Sequence, residues 1–297
     1  MSHHNSHDIC QYNAGKVFHL VLALSAALTA AAQPPDSQTG ASRVALAIVT
    51  DPRNRPLVDV SADDFVIQEG GTAREILSVR PADYPIVVLL DTGKDARADF
   101  PLMRKAVAHF IERIGQRPLA LGVFGNPPKL VTTFEDDRRT VMTRLDELEA
   151  DATAGSLLLQ GAALAGETIR STGTLFSAIV VLSATAVDAS RDTPAELITP
   201  VVDSGAILHV IANRTVVSGG GSRLRPALRA LAEQTRGEYT TIYAAASYQA
   251  ALDRLADRLT AEMMIEYLVP VGSKPSDVKI GVRVLGAIVR GFGVAPR

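Results

Sequence analysis

Five consecutive apolar residues, Ile86-Val87-Val88-Leu89-Leu90, run without interruption and stop at Asp91. An unbroken β-branched and leucine run of that length is the pattern of a strand covered on both faces. Ala178–Leu182 and Ile207–Ile211 repeat it, and Leu119–Phe124, Leu130–Phe134 and Tyr239–Ile242 read as further strands. Between them the period changes. Apolar residues at 103, 106, 107, 110, 111 and 114 follow the i, i+3, i+4 spacing of an amphipathic helix. Arg138–Leu148, Leu157–Ile169, Glu196–Val202, Leu224–Gln234 and Tyr248–Met264 read as helices in the same way. Strand–helix alternation of this length predicts an α/β fold over residues 83–264, with a doubly wound, mostly parallel sheet flanked by helices.

The flanks read differently. Val44–Val49 is a strand pattern, Asp51–Pro56 a turn, and Asp63–Gly71 a strand running into a hairpin turn, with Ile76–Val79 as the returning strand. Residues 43–82 thus form a small N-terminal β unit. Residues 265–297 return to strands, Ile265–Pro270 and Val278–Val284, around a Gly-Ser-Lys-Pro-Ser turn. The alternation of Lys279, Gly281 and Arg283 with Val278, Ile280 and Val282 marks one wet face. This C-terminal segment is expected to pack with the N-terminal unit, so that one β unit is built from both ends of the chain.

At the start, Lys16 precedes the apolar run Val17–Ala32, which closes on Ala30-Ala31-Ala32 before Gln33-Pro34-Pro35. A basic residue, a short apolar stretch and a small-residue end describe a secretory signal over residues 1–32, with 33–42 as a linker. The reading places the protein outside the cytoplasm, secreted or periplasmic, with no stable membrane insertion after cleavage. Cys10 is the only cysteine and would leave with the leader, which excludes disulfides and thiolate chemistry from the mature chain. A net charge of −2, no tryptophan and 5% aromatic residues supply neither a basic face nor a stacking platform for nucleic acid.

Ligands of open parallel sheets gather at the carboxyl ends of the strands, which directs attention to Asp91-Thr92-Gly93-Lys94-Asp95. A carboxylate with hydroxyls nearby suits a hard divalent cation. The chain resembles the von Willebrand factor A family here, in the bacterial branch of related proteins. The resemblance rests on VALAIVTDPRNRPLVDVSADDFVIQEGGTAREI, on ALRALAEQTRGEYTTI and on MIEYLVPVGSKPSDVKIGVRVLGAIVRGFG, spanning about Val44 to Gly293 in matching order. It implies a metal-dependent adhesion site made from a D-x-S-x-S loop, a threonine of a second loop and an aspartate after a later strand. Asp91 matches the first position, Gly93 and Asp95 stand where the two serines are expected, Ser156 stands near the threonine, and Ala184 replaces the later aspartate. Asp91, Asp95 and Ser156 are therefore the residues left to hold a cation (Mg²⁺, Mn²⁺ or Ca²⁺) at a site expected to be degenerate. The alternative is that Asp91 remains as a structural carboxylate capping the next turn. Lys94, beside Asp91 and Asp95, offers a fixed positive charge in place of the ion.

Other chemistry is thinly supplied. After the leader only His109 and His209 remain, one in a helix pattern and one in an apolar strand, and both read as packing residues rather than bases. No G-x-S-x-G elbow is present, and Gly219-Gly220-Gly221-Ser222 lacks the Lys-Ser/Thr ending of a phosphate loop. The expectation is a non-enzymatic module that binds a protein partner through Asp91–Asp95, the Ser156 loop and Ala184–Asp188. The rivals are an α/β hydrolase or nucleotide-binding enzyme, and a structural assembly component of the cell envelope.

Overall fold

The computed structural model describes residues 40–296 apart from 58, 185–188, 191–193, 214–223 and 275. The leader read at residues 1–32 lies outside them, and so does the 219–222 glycine run. In chain order the elements are β1 (Ala41–Thr50), β2 (Phe65–Glu69), β3 (Thr72–Arg74), β4 (Ile76–Pro81), β5 (Ile86–Leu90), α1 (Phe100–Arg113), β6 (Leu119–Val123) and β7 (Lys129–Leu130). They continue with α2 (Arg138–Asp146), α3 (Leu158–Thr172), β8 (Ala178–Ser183), α4 (Pro194–Asp203), β9 (Ile207–Asn213), α5 (Leu224–Gln234) and β10 (Glu238–Ile242). Last come α6 (Ser247–Thr260), β11 (Met263–Val269), β12 (Val278–Val282) and β13 (Ile288–Ala295).

The apolar runs form a six-stranded sheet in the order β10-β9-β8-β5-β6-β7, parallel except for β7. Side chains alternate across a strand, and both faces of this one are covered. Ile86, Val88 and Leu90 pack with Met103, Phe110 and Leu252 of α1 and α6. Val87 and Leu89 pack with Leu158, Ala162 and Ile169 of α3, and with Val201 and Leu228 beyond. That is why β5 carries no polar position. The chain is an α/β protein with a doubly wound sheet, as the pattern predicts.

The two segments flanking the α/β region do meet. β1 lies between β13 and β11 in a four-stranded antiparallel sheet, β13-β1-β11-β4, with Ala45 opposite Ile265 on one side and Val294 on the other. A three-stranded sheet, β12-β2-β3, covers it through Phe65, Ile67, Ala47 and Tyr267. Arg43 of β1 and Glu69 of β2 form an ion pair between these layers, 5% and 1% exposed.

Several boundaries differ from the sequence expectation, each for a tertiary reason. The hairpin at Gly70-Gly71 (φ 59° and 80°) returns through β3, while Ile76–Pro81 crosses to pair with β11 in the other sheet. The run at 130–134 yields only the short β7, because the Val131 and Thr132 amides both donate to Leu121 O and Leu121 N donates to Thr132 Oγ1 at 2.8 Å. The helix expected to reach Met264 stops at Thr260, since Met264 is needed opposite Leu46 in β11. β1 begins at Ala41, two residues inside the stretch read as linker. Among the described residues no helix is long and apolar enough to cross a membrane.

Candidate functional site

Asp91 is the first residue after β5, and its amide still donates to Leu182 O of β8 at 3.0 Å. The ladder therefore carries its side chain to the carboxyl edge between β5 and β8, where it is 0% exposed. Oδ1 accepts from the Gly93 amide at 3.1 Å and from the Ser156 hydroxyl at 2.5 Å. Oδ2 accepts from the Ala184 amide at 3.0 Å. A buried carboxylate is tolerated only when donors replace its lost hydration, and here three loops supply them.

Those loops are fastened to one another. Asp151 N donates to Thr92 O at 2.7 Å, and Lys94 N to Ala154 O at 2.8 Å. Leu157 N donates to Phe124 O and Ala189 N to Ser156 O, both at 2.8 Å. The Asp151 carboxylate accepts from the Thr153 and Ala154 amides, and these bonds lower its pKa. A second layer sits beside the first. Asn213, the last residue of β9, donates to Asp99 Oδ2 at 2.6 Å, and the Tyr248 hydroxyl donates to Ser183 O at 2.9 Å. Burial first, then the charges of Asp99 and Asp91, push the Tyr248 phenol far upward.

The structure thus brings Asp91, Thr92, Gly93, Ser156 and Ala184 together, all buried. Lys94 and Asp95 sit in a short 3₁₀ turn with exposed side chains, and no hydrogen bond or ion pair links either to Asp91 among the described residues. Lys94 therefore does not stand in for an ion at Asp91. Asp188 lies outside the described residues. Sequence reasoning missed Asp99, Asn213 and Tyr248. Asn213 carried the same signal as Asp91, a polar residue closing an apolar strand at the carboxyl edge.

Neither histidine joins this edge. His109 is partly exposed on α1 and faces Asp253 at 3.4 Å, so it is a surface residue beside a carboxylate rather than the packing residue expected. His209 is buried within β9.

The fit to a hard divalent cation is poor among the described residues. Six oxygen ligands in near-octahedral geometry are wanted for Mg²⁺. Gly93 and Ala184 offer no side-chain oxygen, and no group of three or more histidine, cysteine, aspartate or glutamate side chains is placed to hold a metal. The Ser156 oxygen also stands 2.1 Å from where a Cβ on residue 93 would lie. It occupies the space a serine there would use.

No family model matches this chain, and no curated relative matches it. Solved structures do. The von Willebrand factor type A protein of Catenulispora acidiphila aligns over 78% of this chain and 72% of its own, at TM-score 0.50 and 13% identity. Proximal thread matrix protein 1 of the mussel byssus, with a zinc-occupied MIDAS motif, aligns over 67% of this chain and 48% of its own, at TM-score 0.52 and 12% identity. The chain has the von Willebrand factor A fold, and at such identities the likeness carries the fold alone.

Proposed function

We propose that this protein is an exported, non-enzymatic binding module that takes a protein partner on the loops at the carboxyl edge of its six-stranded sheet. The observation that carries the reading is the convergence of Gly93, Ser156 and Ala184, from three separate stretches of the chain, on the buried Asp91 carboxylate, while Lys94 and Asp95 beside it in sequence stay exposed. Rigid loops on a packed scaffold are where such folds place recognition. Fold alone does not assign function, so the reading leans on this arrangement and on the scarcity of catalytic groups: the described histidines are remote from the edge. Export rests on the leader pattern of residues 1–32.

Binding is read as independent of a divalent cation, because the protein's own donors already meet both oxygens of Asp91. Calorimetric titration of Mg²⁺, Mn²⁺ and Ca²⁺, beside an Asp91→Ala variant, tests this part. Saturable heat lost in the variant would restore a metal-dependent mechanism. The partner surface is tested by a photo-crosslinker placed at Asp95, with a control at the exposed Leu175 near the opposite edge. Adducts with an extracytoplasmic protein from position 95 alone, unchanged by chelator, support the reading. Equal adducts from both positions, or none, would overturn it.

A further inference from the structure

The opposite part of the sheet holds a buried group that the binding reading does not use. His209 lies in the middle of β9, between Val180 of β8 and Glu238 of β10 in register. Its neighbours two residues away, Ile207 and Ile211, face the core shared with α1 and α6, so the imidazole points to that side. It is 1% exposed, and neither ring nitrogen has a hydrogen-bond partner. A neutral imidazole always carries one N–H donor and one acceptor, so the arrangement forfeits both. Buried polar groups left in that state are uncommon and ask for an explanation.

The surroundings are basic. Arg258 of α6 and Arg290 of β13 both stack on the Phe292 ring, at 4.6 and 5.3 Å to its centre. Both guanidinium charges act on His209. Acids are present but already engaged. Glu238 is 3.5 Å from Arg258, and Glu262 is 3.6 Å from Arg258 while accepting from the Tyr84 hydroxyl. Arg117 lies over the Tyr84 ring, and Arg236 donates to Phe292 O. Charging His209 would therefore add a cation where the nearby carboxylates already serve others.

β13 is poorly placed to resist such a change. It is an edge strand, paired only with β1, and its register shifts beside Phe292. It contains Gly291 and Gly293, which contribute no side chain to packing. β9, by contrast, is interior to its sheet and hydrogen-bonded on both sides.

We propose that His209 makes the seam between the six-stranded sheet and β13 acid-labile: on taking up a proton it repels Arg258 and Arg290, and β13 is released from the helix α6 layer. Burial, then Arg258 and Arg290, hold the imidazole pKa well below its ordinary value. The unfolded or opened chain therefore binds the proton first. The stability contributed is present above the ordinary histidine pKa and is lost as pH falls below it, with an opening constant that grows by up to about tenfold per pH unit. Glu262 works in the opposite sense. Burial raises its pKa, so the closed state takes that proton more readily and acid favours it. A Glu262→Gln variant removes this offset and leaves the His209 effect steeper.

Hydrogen exchange of the full-length protein, corrected for intrinsic rates and followed from pH 7.5 to 5.5, reads the seam directly (the range brackets the ordinary histidine value of about 6.5). The expected result is a loss of protection in 288–295 on acidification, at least several-fold larger than in β9, and absent from His209→Leu. An equal acid response in His209→Leu would overturn the proposal. Should that variant fail to fold, nuclear magnetic resonance titration of His209 in the wild-type protein decides. Titration near the ordinary value with no change in β13 refutes the proposal, whereas protonation coincident with loss of β13 protection supports it.

Discussion

The Ser156 hydroxyl donates to Asp91 Oδ1 at 2.5 Å while standing 2.1 Å from the point where a Cβ on Gly93 would lie. One oxygen thus serves Asp91 and excludes a side chain at 93. Gly93→Ser alone is expected to destabilise the protein by about 1–3 kcal/mol through overpacking. Adding Ser156→Ala should recover part of that loss but not all, because the Ser156 amide nitrogen would still be 2.9 Å from the new Cβ. Urea unfolding of the two single variants and the double variant measures the coupling, expected at about 0.5–3 kcal/mol. Simple additivity would mean the two positions do not share space.

Asp91→Ala removes the acceptor for the Gly93 and Ala184 amides and the Ser156 hydroxyl. Each buried donor left without a partner costs about 1–3 kcal/mol. The variant should lose several kcal/mol and show faster hydrogen exchange in the 92–95 and 154–157 loops before the rest of the sheet. A loss confined to partner binding, with stability unchanged, would contradict the fastening role.

Arg43 and Glu69 form a buried pair between the two β layers, and Glu69 also accepts from the Ser276 amide at 3.3 Å. Glu69→Gln strands the buried guanidinium and is expected to cost about 3–5 kcal/mol, whereas an apolar replacement of both partners should restore much of the loss. Thermal unfolding of these two variants beside the wild-type protein distinguishes the cases.

Three tyrosines resist ionisation. The Tyr84, Tyr248 and Tyr267 phenols are all raised, chiefly by burial, with Glu262, Asp99 and Glu69 as the next contributors in turn. Unfolded tyrosine ionises near pH 10. The stability tied to these groups is therefore fully present below about pH 10 and is lost as pH rises above it. Phenolate absorbance should show these three titrating later in native protein than in urea, with Tyr248→Phe removing one late step. Replacing that hydroxyl, which donates to Ser183 O, should cost about 1 kcal/mol.

Much of this architecture is local information. The unbroken runs at 86–90, 178–182 and 207–211 encode strands covered on both faces, and the 3.6 period of 103–114 encodes the helix that covers one of them. The carboxyl-edge position of Asp91 follows from the same reading, because a polar residue closing such a strand has only that edge to occupy. Even the meeting of the two flanking segments was legible from their shared strand character.

Pairing choices were not legible. Whether β3 or β4 answers the Gly70-Gly71 turn, and where α6 yields to β11, depend on partners found more than a hundred residues away in the case of Met264 and Leu46. The site was divided in the same way. Sequence supplied Asp91 and the lack of a side-chain oxygen at Gly93 and Ala184. Only the folded chain set the Ser156 oxygen against Gly93, buried Asp91 under three donors, and turned Lys94 and Asp95 outward. Periodicity reports which face of an element is apolar, but hydrogen bonds between loops depend on distances that no single segment carries.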